Sequence, residues 1–247
     1  MYNFFVAKES VNGNKAKITG ADYNHITNVL RLKVGEEILI SVLGASHLSK
    51  IEDIDDSAVT VEIIKENYQD TSLPVKIHLF QGLPKSDKLE LIIQKTVELG
   101  VESITPVEME RCVVKLDGKK KDGKTARWQA IAESAAKQSK RTNIPKVESV
   151  LSYKQMLEKI RDLDLFIIPY ENAKGMQATK ETLQSIKSGM SVGVLIGPEG
   201  GFSDNEIELA KSLNAKTVSL GKRILRTETA AITAVSMLML YAEMNLD

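Results

Sequence analysis

Over the first 70 residues, apolar and polar positions alternate in short runs. Asn3 to Ala7, Lys15 to Thr19, Glu37 to Leu43, His47 to Ile54 and Ala58 to Lys65 supply such runs, most plainly in Val59, Val61 and Ile63. That period of two is the signature of a half-buried strand. One stretch breaks it. Between Gly20 and the turn at Val34-Gly35, the residues Ile26, Val29, Leu30 and Leu32 group on one helical side and predict a helix over Ala21 to Leu32. Several strands, glycine turns and few helices predict a small β-barrel. The polar stretch Glu66 to Ser72 ahead of Leu73-Pro74 reads as a linker, which sets the domains at 1–70 and 73–247.

After the linker the rhythm changes. Val75 to Phe80 predicts a strand, and Ser86 to Leu99 a helix with Leu89, Ile92, Ile93, Thr96 and Val97 inward. Gly100 sits where a helix end favours a left-handed residue. Lys124 to Lys140, Ser152 to Ile160, Met176 to Ile186, Ser203 to Leu213 and Thr229 to Met244 predict further helices. Leu165 to Pro169, Val192 to Ile196 and Thr217 to Leu220 predict strands between them. This alternation predicts an α/β domain built on a mainly parallel sheet covered on both faces.

Composition narrows the class. A 43% hydrophobic content over 247 residues allows a sizeable core. The N-terminus MYNFFVAKES has no basic region leading into an apolar run, and Ala230 to Ala242 is shorter than the ~20 apolar residues of a membrane span, so a soluble, cytoplasmic protein is expected. The single cysteine, Cys112, reads as a small core filler, and His25, His47 and His78 are too scattered for a zinc site. Formal net charge is zero, but between Arg111 and Lys146 there are eleven bases against three acids. Such a cluster is either a phosphate-binding surface or a solvated face.

The segment Val192-Gly193-Val194-Leu195-Ile196 suits a buried parallel strand, and ligands bind beyond the carboxyl ends of such strands. It runs into LIGPEGGFSDNE, residues Leu195 to Glu206. Here Gly197, Gly200 and Gly201 bare the backbone, while Ser203-x-x-Glu206 is a capping box that starts the next helix. No Gly-Lys-Ser or Gly-Lys-Thr follows, so this is not a P-loop, and Glu199 would repel a pyrophosphate while tolerating a cationic ligand. A second loop, Ser219 to Ala231, also leaves a strand and enters a helix. Leu220, Ile224 and Leu225 in it are apolar, suited either to packing under the core or to lining a flat ring. Arg226 stands just before the helix, with Thr227 a possible N-cap. Two such loops at neighbouring strand ends describe one pocket, and the strand end at Ile167 to Asn172 is a candidate third wall.

With these residues the chain resembles the RsmE family of 16S rRNA (uracil-N3) methyltransferases in the SPOUT superfamily. The resemblance runs along the whole chain: HITNVLRLKVGEE (25–37), PKSDKLELIIQKTVELGV (84–101), ERCVVKL (110–116), RWQAIAESAAKQSKRTNIPKV (127–147), then IGPEGGFSDNEI and LGKRILRTETAA near the C-terminus. It implies a C-terminal SPOUT-type α/β domain with a trefoil knot, an N-terminal PUA-like β-barrel, and S-adenosyl-L-methionine as cofactor. It also implies a homodimer and, as partner, 16S rRNA in the assembled small ribosomal subunit, modified at a uridine of the decoding region, with no DNA or membrane involved.

Carried over by motif, the cofactor-binding residues are Pro169, Ile196, Gly197, Glu199, Gly200, Gly201, Leu220, Gly221, Ile224 and Leu225, with Tyr170 matching the first knot loop less closely. Arg226 is the candidate catalytic residue, stabilising a uracil anion or a neighbouring phosphate, against the alternative of a salt link to Glu199 or Glu228. Glu199 and Glu228 are candidate bases by position only, with solvent as a third choice. Candidate RNA contacts are Arg31 and Lys33 in the first domain and Lys85, Arg111, Lys137 and Arg141 in the second. An RNA-binding assembly protein without catalysis, or a methyltransferase with another RNA target, are the competing readings.

Overall fold

The structure is a computed structural model and describes residues 1–170 and 175–246, with Lys119 described by its backbone alone. The chain divides into two compact units, Met1–Ser72 with Ala136–Ile144, and Leu73–Ala135 with Pro145–Asp247.

The first unit is a six-stranded sheet. Its elements are β1 (Asn3–Phe5), β2 (Val11–Asn12), β3 (Lys15–Thr19), α1 (Gly20–Asn24), β4 (Glu37–Val42), β5 (Ala45–Ile54) and β6 (Ala58–Gln69). The strand order is β1-β4-β5-β6-β3-β2, antiparallel except for the parallel pair of β1 and β4. Register shifts between β5 and β6 mark bulges, which bend and twist a strand pair. Phe4, Ile18, Ile26, Ile38, Ile40, Ile51, Val59 and Val61 meet in one core, so strands from opposite ends of the order close over the same apolar centre.

The sequence predicts one helix over Ala21 to Leu32; the structure gives α1 followed by a π-helical turn at His25–Leu30 that ends at Arg31 with a left-handed φ of 54°. Ile26 alone is fully buried there, and Val29 is exposed, so the apolar side is narrower than its spacing suggests. The predicted linker is also partly structural, because β6 continues through Glu66 to Gln69 before the chain leaves the sheet.

In the second unit, β7 (Lys76–Gly82), α2 (Lys88–Glu98), β8 (Ser103–Glu108), α3 (Gly118–Gln138), β9 (Lys146–Val147), β10 (Leu151–Ser152) and α4 (Tyr153–Lys159) come first. They are followed by β11 (Leu165–Pro169), α5 (Gly175–Gln184), β12 (Ser191–Ile196), α6 (Asp204–Ser212), β13 (Lys216–Val218) and α7 (Thr227–Asn245). The strand order is β10-β8-β7-β12-β11-β13, with β9 also paired to β8, and every pairing is parallel. The strands have near-continuous apolar runs, as in Ile77, Leu79 and Phe80 or Val192, Val194 and Leu195, all buried. Both α2 and α7 pack on one another, and α7 also lies on β7 and β12. Gly100 takes a φ of +92° just past α2, as its position predicts. Gly193 leaves the space into which Leu163 and Phe166 press: a Cβ there would lie 2.5 Å from Leu163 and 2.6 Å from Phe166.

Candidate active site

The carboxyl ends of β11, β12 and β13 open into one cavity of about 700 Å³. Pro169 and Tyr170 follow β11, the GPEGG loop follows β12, and Ser219 to Arg226 follows β13. All ten predicted cofactor residues line this cavity, as does Arg226. Glu171 and Asn172, which the sequence offers as part of the third wall, lie outside the described residues.

The glycines of the first loop also answer to the protein's own structure, by packing most tightly at Gly200 and by backbone conformation at Gly201. A Cβ on Gly197 would meet the Phe202 ring at 3.2 Å, and one on Gly200 would lie 2.9 Å from the Arg111 carbonyl oxygen. Gly201 instead takes a φ of +69°, and Gly221 in the second loop one of +111°, where an L side chain is strained. Loop shape thus stands beside close ligand approach as a reason for these glycines.

Both loops are fastened from below. Ser203 accepts the Glu206 N–H, and Glu206 Oε2 accepts the Ser203 N–H, completing the predicted capping box. The other carboxylate oxygen of this buried Glu206 accepts the Glu110 N–H at 2.9 Å, which ties the segment carrying Arg111 to α6. Thr227 differs from its predicted role. It is the first residue of α7, Arg226 is the cap position, and the Thr227 hydroxyl donates to the Gly197 carbonyl at 2.7 Å while accepting from Gln81 Nε2 at 2.9 Å. Buried Thr227 and Gln81 therefore join the end of β7 to both ligand loops.

Electrostatics reassign Glu199. Its carboxylate accepts from Lys88 Nζ at 2.9 Å and from the Lys85 N–H, while Lys88 also pairs with Glu228 at 3.4 Å. Burial pushes the Glu199 carboxyl up, but the hydrogen bonds from Lys88 and from backbone N–H groups outweigh it and hold it below its ordinary value. The hydrogen bond to Glu199 in turn raises the Lys88 ammonium. Glu199 thus anchors its loop to α2, and its charge is already matched. Neither Glu199 nor Glu228 makes an ion pair with Arg226, which is exposed and has no ion-pair partner among the described residues.

The basic candidates separate. Arg31, Lys33 and Lys85 are exposed, and so is Arg111, which lines the cavity and donates to the Gly200 carbonyl. Lys137 and Arg141 belong to the first unit and are engaged within it. Lys137 pairs with Asp22 at 2.8 Å, and Arg141 is 6% exposed, its carbonyl accepting from Asn3 and Ser41. Both act as ties within the first unit, Lys137 partly exposed and paired, Arg141 buried. Lysines of the 119–124 cluster are partly neutralised as well, Lys120 by Asp117 and Lys121 by Glu108. The sequence reading missed Lys88, Phe202, Asp204, Ser219 and Arg223 in the cavity wall. Their signal was adjacency to the loop glycines, except for Lys88, which arrives from a distant helix.

A family model described as an RNA methyltransferase domain matches residues 71–239, and one described as an RNA methyltransferase PUA domain matches residues 18–64. The chain is 37% identical over 231 residues to ribosomal RNA small subunit methyltransferase E of Bacillus subtilis (strain 168), covering 92% of this chain and 90% of that protein. It is 34% identical to the protein of the same name from Mesomycoplasma hyopneumoniae (strain 232), covering 94% and 96%. A solved ribosomal RNA small subunit methyltransferase E from Neisseria gonorrhoeae, bound to S-adenosyl methionine, is 33% identical with a TM-score of 0.83, covering 99% of this chain and 100% of that one. A PUA-domain sheet unit joined to a parallel α/β unit with a loop-built cavity defines an RNA methyltransferase. Within that class, the chain belongs to the ribosomal RNA small subunit methyltransferase E family.

Proposed function

We propose that this protein transfers the methyl group of S-adenosylmethionine to N3 of a uridine in the decoding region of 16S rRNA, acting on the assembled small subunit. The observation that carries the reading is the 700 Å³ cavity whose wall combines bared glycine backbone, apolar Ile196, Leu220 and Leu225, and Arg226. Its size and lining fit a nucleoside-sized cofactor, and its lack of a P-loop lysine fits one without a polyphosphate. When bound, S-adenosylmethionine supplies an electrophilic methyl on a sulfonium.

The chain's residues orient the acceptor and handle its charge. Uracil N3 must lose its proton and lie in line with the methyl, so positioning contributes much of the rate. Arg226 stands at the N-terminus of α7, where the helix dipole adds to its own charge, and would stabilise the uracil anion. Lys88 engages both Glu199 and Glu228, which favours proton release to solvent over either carboxylate as base.

The domain assignment follows: an RNA-binding first unit with Arg31 and Lys33, and a catalytic second unit with Lys85 and Arg111 toward RNA. A homodimer and a trefoil knot are part of the same reading. Leu240 and Met244 remain 48% and 72% exposed on α7 as an apolar surface for a second copy, which sedimentation would detect.

Calorimetry with S-adenosylmethionine, together with mass mapping of small-subunit rRNA from cells lacking the protein, tests the function. Loss of one N3-methyluridine, restored by the wild-type chain, supports it; an unchanged nucleoside map overturns it. Arg226→Ala should abolish transfer while leaving cofactor affinity within about threefold, and full activity in that variant would discard the role of Arg226.

A further inference from the structure

A second cavity of about 150 Å³ lies on the same unit, lined by Leu83, Leu89, Val114, Leu116 and Trp128, with Ser86, Asp87 and Lys124 as its polar groups. It neighbours the reaction cavity through two segments. The stretch 83–89 gives Leu83, Ser86 and Leu89 to the small cavity, while its Lys85 N–H and Lys88 Nζ hold Glu199 in the wall of the large one. The stretch 111–116 gives Val114 and Leu116 to the small cavity and Arg111 to the large one.

Its chemistry is that of an aromatic-ring site. About 150 Å³ of apolar cavity holds one six-membered ring, as benzene-sized ligands show. Here the wall includes the indole of Trp128, a residue 4% exposed, with the Lys124 ammonium over its ring, 5.9 Å from the centroid. Lys124 lines the cavity and is exposed, so a cation stands beside the ring site, where a nucleotide carries its phosphate. Ser86 holds a left-handed φ of +54°, a conformation disfavoured for a non-glycine residue. Such strain persists where the surrounding structure imposes it, often at ligand sites. Single-stranded RNA is recognised by splaying bases onto aromatic side chains with cations on the backbone.

We infer that this cavity binds one unstacked pyrimidine base of the RNA strand, next to the uridine that enters the reaction cavity. The inference rests on the RNA methyltransferase reading, and it names a subsite that fixes the strand's register. Val114 and Leu116 are only partly buried and form the side of the cavity that can be filled without disturbing the core.

Trp128 is the chain's only tryptophan, so its fluorescence reports this site directly. With the reaction cavity saturated by S-adenosylhomocysteine, a short single-stranded oligouridylate should quench Trp128 emission in the full chain. Val114→Phe, which fills the cavity, should weaken that quenching on the order of tenfold and raise the KM for small subunits similarly, with cofactor affinity unchanged by calorimetry as proof of folding. Lys124→Met should weaken quenching less and flatten its salt dependence. Oligouridylate that binds by anisotropy without quenching Trp128 would overturn the inference, and so would Val114→Phe with a native KM. Absence of methyl transfer by the wild-type chain would instead strike the parent reading, and is read separately from the fluorescence.

Discussion

Gly200 and Gly197 sit three residues apart but should respond differently to alanine. At Gly200 the new Cβ would press on Arg111 backbone at 2.9 Å, and backbone held by the Glu110 to Glu206 hydrogen bond cannot give way cheaply. At Gly197 it would meet only the edge of the Phe202 ring at 3.2 Å, which can tilt. Gly200→Ala is therefore expected to lower S-adenosylmethionine affinity by about tenfold or more, or roughly 1.4 kcal/mol, and Gly197→Ala by a few fold, measured by calorimetry. Equal losses would show that the glycines serve ligand approach more than loop shape. Thr227→Val is a sharper removal. It leaves the Gln81 amide and the Gly197 carbonyl without their shared partner in a buried site, at a cost of about 1–3 kcal/mol. A lower melting temperature for the second unit, with cofactor affinity falling in parallel, is the expected outcome.

Most elements of the second unit are legible because they carry one period over enough residues. Leu165–Pro169 matches its predicted bounds, and α2, α6 and α7 differ from theirs by a residue or two at the ends. β8 was not read, since Ser103 and Thr105 within SITPVE disguise a strand buried on both faces. The start of α3 was missed for the opposite reason: Gly118 to Gly123 is almost wholly polar and shows no apolar side. The cavity could be read because strand-end loops and a capping box are local features. The partners of Glu199, Thr227 and Glu206 could not, because Lys88, Gln81 and Glu110 come from 96 or more residues away. Only the folded sheet brings them together. The same holds for Lys137 and Arg141, whose charges looked available until Asp22 and burial accounted for them.

For the whole molecule, these ties divide the basic residues into two sets with different salt behaviour. Replacing Arg31, Lys33, Lys85 and Arg111 by Ala should reduce the slope of log affinity for small subunits against log salt by up to about one for each phosphate no longer neutralised. Lys137→Ala should leave that slope unchanged and lower the melting temperature of the first unit. Acid sensitivity should begin at His78, which faces Ser103 across β7 and β8 at 2.8 Å. Burial holds its imidazole below the ordinary value of 6.5. The unfolded chain therefore binds the proton more readily, and stability present above pH 6.5 is lost as pH falls through the lower folded value. Melting temperature should drop as the pH falls below 6.5, and drop less in His78→Gln.

Ala136–Ile144, although it follows α3 in the chain, supplies the Arg141 carbonyl that Asn3 and Ser41 share in the first unit. A gene truncated after Ser72 would encode a sheet whose buried Asn3 amide has lost its acceptor, with Ser41 left to donate to the Asn3 side-chain oxygen alone. The two units are consequently poor cassettes: recombination that exchanged the N-terminal portion between relatives would have to carry this later stretch along with it, or restore its fit by compensating changes.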